Sequence, residues 1–84
     1  MKKEKIVSVF EKQGYAMNQK VHIVTPSGRE FNMPLAYAIQ VVDNLSKQGL
    51  QLETIEFVSE TIVVITQSKD DVDYRTHFLF YPEL

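Results

Sequence analysis

Two stretches of this chain are apolar on both of the faces that a β-strand presents. Thr61-Ile62-Val63-Val64-Ile65-Thr66 carries aliphatic residues at odd and even positions alike, and His77-Phe78-Leu79-Phe80-Tyr81 does the same with larger side chains. A strand with one face in water alternates apolar and polar residues. These strands call for cover on both faces, and a chain of 84 residues has little left to supply it. The pattern predicts contact with a folded partner surface, a second copy of the same chain being one candidate. If no second copy supplies that cover, the first helix is the expected source of it. The pattern names no chemistry.

The remaining elements follow from spacing and punctuation. Ile6, Val9, Phe10 and Gln13 recur at intervals of three and four with Gly14 behind them, which predicts a helix over 2–13 closed by a glycine cap. Val7 and Val9 on one face of a strand are the competing reading, since β-branched residues cost helix propensity. Lys20–Thr25 and Arg29–Met33 flank Pro26-Ser27-Gly28 and predict a hairpin. Leu35, Ala38, Ile39, Val42 and Leu45 form a helical stripe over 34–48. Pro34 is expected at its first position with Asn32 or Met33 as cap, and Gly49-Leu50 as its end. Asp43 and Lys47 are expected as a pair on its wet side. Three strands at about 52–58, 61–67 and 72–81 complete the chain. The expected fold is a single α+β domain over 1–84, with the N-terminal hairpin and a C-terminal three-stranded antiparallel meander packed on one long helix beside a short N-terminal one. Ile39 and Val42 are expected against Ile55, Phe57, Ile62, Val64 and Phe78.

Composition removes several function classes from consideration. There is no cysteine, so no disulfide framework, thiolate zinc cluster or thiol nucleophile can form. The apolar run Ile6–Phe10 is five residues long and includes Ser8, too short for a signal sequence, and no stretch approaches a membrane span. A cytoplasmic protein with no membrane contact is expected. Net charge is −2, against a general nucleic-acid binder. The charge is unevenly spread: residues 1–20 hold five lysines and two glutamates, whereas residues 50–84 hold seven acids against Lys69 and Arg75.

No motif carries a reaction. His22 and His77 could lie near one another on a sheet, but a zinc site needs three or four ligands and no carboxylate is spaced to complete it. Asp70-Asp71-Val72-Asp73 lacks the alternation, glycine and terminal glutamate of a calcium loop. None of the serines sits in a nucleophile elbow, and three glycines make no phosphate-cradling loop. Neither an enzyme activity nor a cofactor is expected.

The reading is a small interaction module or regulator that binds another protein and pairs with itself. Ile65, Leu79 and Tyr81 are its candidate contacts, on a face that the long helix does not reach. Tyr37 is a further one, an aromatic that falls off the helix stripe. The alternative is a nucleic-acid-associated accessory protein using the N-terminal lysines and exposed aromatics. A small-ligand binder with a pocket between helix and sheet is a third class.

Overall fold

The long helix is as long as the sheet is wide, and this fixes the architecture. The computed structural model describes residues 3–59, 62–69 and 74–83. The element order is α1 (Lys3–Lys12), β1 (Lys20–Val24), β2 (Glu30–Pro34), α2 (Leu35–Lys47), β3 (Gln51–Ser59), β4 (Ile62–Lys69) and β5 (Tyr74–Pro82). The strands make one sheet in the order β2-β1-β5-β4-β3, with every neighbouring pair antiparallel. β2 and β3 are its two edges, about 19 Å apart at ordinary strand spacing. The 13 residues of α2 span about 20 Å at 1.5 Å per residue. The helix therefore carries the chain from one edge to the other, and the meander then returns inward until β5 lies between β4 and β1. The expected antiparallel sheet of hairpin plus meander is joined there, with Val21 opposite Pro82 and Val24 opposite Leu79.

Both helices pack on the same face. Ile6 and Phe10 of α1 and Leu35, Ala38, Ile39 and Val42 of α2 form one core with Val21, Ile23, Val63, Ile65, Phe78 and Phe80 of the sheet. Phe10 is its hub, with ring centroids 5.4 Å from Phe57, 5.7 Å from Tyr15 and 6.1 Å from Phe80. The helix reading of the N-terminal segment holds, but α1 does not cover the second face of the sheet. Ile39 and Val42 are buried as expected, among residues that include Phe78, Ile55 and Phe57. Val64 is a correction: it pairs with Glu56 and Leu79 on the opposite face. The side chain of Ile62, residue Thr61 and the Asp70–Asp73 segment lie outside the described residues.

Each helix closes with the same device. After α1, Tyr15 N–H donates to Phe10 O (3.1 Å) and Gly14 N–H to Glu11 O (3.0 Å). After α2, Leu50 N–H donates to Leu45 O (3.0 Å) and Gly49 N–H to Ser46 O (3.2 Å). Gly14 and Gly49 stand at φ +93° and +99°, as this Schellman geometry requires. The start of α2 departs from expectation. Pro34 is the N-cap rather than the first helical residue, and no side chain caps the helix. Backbone carbonyls from the 16–19 turn do so instead: Leu35 N–H reaches Gln19 O (2.7 Å) and Ala36 N–H reaches Met17 O (2.9 Å). Asp43 does pair with Lys47 (3.4 Å) but lies on the α1 side and is only 8% exposed, not on the wet face.

Candidate functional site

Placing both helices on one face leaves the other bare among the described residues. Strand registers set its side chains in rows. The central row runs Glu30, Val24, Leu79, Val64, Glu56 across all five strands. Three half-buried aliphatics thus sit between two exposed edge glutamates. Tyr81 stands beside them, level with His22 and Asn32. On the other side His77 Nδ1 meets Thr66 Oγ1 at 3.0 Å. Farther along, Arg75 Nε donates to Glu53 Oε2 at 2.9 Å.

His22 is held by two oxygen acceptors. Its Nε2 lies 2.8 Å from Glu30 Oε1 and its Nδ1 3.0 Å from Asn32 Oδ1. Donating to both requires the imidazolium. The bond to Glu30, then that to Asn32, raises the His22 pKa above its ordinary value, with partial desolvation opposing. Glu53 moves the other way, its pKa lowered chiefly by the Arg75 hydrogen bond. The two histidines do not form a site: His22 is level with Tyr81, four residues along β5 from His77, or about 13 Å. Among the described residues no group of three His, Asp or Glu could hold a metal ion.

A second apolar surface lies on the helix side. α1 packs along one flank of α2, where Lys3 Nζ donates to Gln40 Oε1. The other flank carries an apolar groove of about 220 Å³ between α2 and the hairpin. Ala38, Val41 and Val42 form one wall, and Ile23, Phe31 and Met33 the other. Phe78 and Phe80 also line it, and Thr25 is the one polar lining residue among those described. Phe31 (44% exposed) and Val41 (39%) stand at its mouth, with Tyr37 (67%) one turn before Val41.

The structure separates the four candidate contacts. Leu79 and Tyr81 share the open sheet face, and Tyr37 stands exposed on α2. Ile65 is corrected: it is fully buried beneath the helices, paired with Phe78, and no partner can reach it. Sequence reasoning missed Val24 and Val64, which complete the row around Leu79. Their signal was parity, since each sits one position off a core residue, Ile23 or Val63. No protein-family model, curated protein or solved structure matches this chain. No helix is long and apolar enough to cross a membrane among the described residues.

Proposed function

We propose that this protein is a non-enzymatic interaction module, acting in the cytoplasm, that binds another protein through the open face of its sheet. The observation that carries the reading is the row Val24–Leu79–Val64, three aliphatics on the three inner strands with no element of the chain laid over them among the described residues. An apolar patch rimmed by polar groups is the usual signature of such a surface. Glu30 and Glu53 are already paired with His22 and Arg75, so Glu56, at the far end of the row, is the acid that favours a partner with a cation beside its apolar stripe. The lack of cysteine supports a reducing compartment.

The nucleic-acid alternative gains little from the fold. Lys3, Lys5 and Lys12 are exposed on α1, across the sheet from Tyr81, while the exposed Tyr37 and Phe31 on the helix side stand toward the groove flank of α2, away from α1. A single-strand reader needs its cations and stacking rings on one surface, and on the open face the cationic groups of His22 and Arg75 are each held by a glutamate. Affinity capture from native lysate with the wild type and with Leu79→Glu tests the reading. A polypeptide held by the wild type and lost with Leu79→Glu supports it. A nucleic acid held equally by both, or a polypeptide indifferent to the substitution, contradicts it.

A further inference from the structure

The geometry points to a second interface: the α2–hairpin groove is the docking surface for a second copy of this chain, with Tyr37 of each copy seated in the groove of the other. This surface is separate from the sheet face, and the two readings fail separately.

Three observations meet there. The first is charge. The outward positions of α2 away from α1 are Tyr37, Val41 and Asn44, and none is charged; Lys47 and the Lys3 that bonds Gln40 lie toward α1. In a chain with 24% charged residues, a solvated helix face would ordinarily carry Lys and Glu. Loss of charge with gain of aromatic residues and Met marks the centre of a protein interface, and Phe31, Met33 and Tyr37 supply both. The second is size. Ligand sites for drug-sized molecules run to roughly 300–1,000 Å³. The groove, at about 220 Å³, is smaller and suits one aromatic side chain. Tyr37, 67% exposed, is such a side chain placed beside it, and a tyrosine filling a partner's pocket is a recurrent anchor.

The third is symmetry. A twofold contact sets a surface against itself. The groove-side face of α2, with Tyr37, Val41 and Asn44, meets its copy without repulsion. The open sheet face does not. Aligned twofold stacking about its central row brings Glu56 over the Glu30 that His22 holds in the second copy, or over the second copy's own Glu56, and the latter like-charge contact is unfavourable. Self-association by sheet stacking, the expectation from the two-sided strands, is therefore the poorer arrangement. It leaves the sheet face free for a different partner.

The absence of cysteine makes single-cysteine reporters unambiguous. Sedimentation of the wild type from low to high micromolar concentration is expected to show a monomer–dimer equilibrium. Tyr37→Glu is expected to weaken it by at least roughly thirtyfold with unchanged circular dichroism, while Leu79→Glu leaves it intact. Under mild oxidation Val41→Cys should give a covalent dimer, and Val58→Cys, exposed on β3, should not. A wild type monomeric throughout overturns the proposal. So does a dimer dissociated by Leu79→Glu but not by Tyr37→Glu, or a Val41→Cys variant that cross-links no faster than Val58→Cys.

Discussion

His22 sets a pH response that can be read in stability. Its folded-state pKa is raised by Glu30 and Asn32. Its contribution is therefore fully present below the unfolded value near 6.5 and is lost as pH rises through the higher folded value. Denaturation midpoints should fall across that window, and His22→Gln should flatten the fall. A midpoint that climbs there, or an unchanged slope in His22→Gln, contradicts the assignment. Glu53 acts in the acid range, with stability present above its ordinary pKa and lost as pH falls through the lowered one. Gln67 is the most deeply buried polar residue among those described. Fully buried, its Nε2 donates to Val42 O (3.2 Å) and Leu50 O (3.3 Å), while its Oε1 has no hydrogen-bond partner among the described residues. Gln67→Ala should cost about 1–3 kcal/mol, from lost bonds and a small void. Gln67→Met keeps the volume without the orphan acceptor, so its thermal midpoint should lie nearer the wild type. Equal losses would mean that the two donated bonds dominate. None of this was legible in the sequence. His22 and Gln67 look like ordinary strand residues until the register places Glu30, Asn32 and the end of α2 beside them.

The elements themselves were readable wherever local chemistry decides them. The glycine caps, the Pro-Ser-Gly turn and the stripe of α2 each follow from a few adjacent residues. The start of α2 was not, because carbonyls of Met17 and Gln19, distant in sequence, do the capping. The face chosen by α1 was not, because Ile6 and Phe10 specify an apolar stripe and not which side of the sheet receives it. The stripe of α2 permits a sharp comparison. Ile39→Ala should cost about 2–5 kcal/mol in thermal denaturation, enough to unfold much of so small a domain. Gln40→Ala, whose contacts are to Lys3 and Asn44 at the surface, should stay within about 0.5 kcal/mol. The reverse order would mean that the helix is seated the other way round. Gly49→Ala isolates the cap. An added Cβ there meets nothing within 4 Å, so a loss of about 1–2 kcal/mol would be backbone strain alone.

At the scale of the molecule, the fold explains half of the feature that first singled this chain out. β5 is apolar on both faces because it is the middle strand, but only Phe78 and Phe80 are covered by the helices. Composition and periodicity revealed that two faces needed cover. They do not assign residues to faces, since a one-residue slip exchanges the two sets, which is why the pattern alone does not separate Ile65 from Leu79. The central claim is that the outward row serves a partner and not the fold. Adjacent residues on β5 test it most directly, by urea denaturation of Phe78→Glu and Leu79→Glu side by side. Phe78→Glu places a charge in the core and should abolish folding. Leu79→Glu should remain folded with a loss of about 1 kcal/mol or less, the scale of cross-strand pairs. A Leu79→Glu variant as damaged as Phe78→Glu would show that the open face is held by the domain itself, and would contradict the claim.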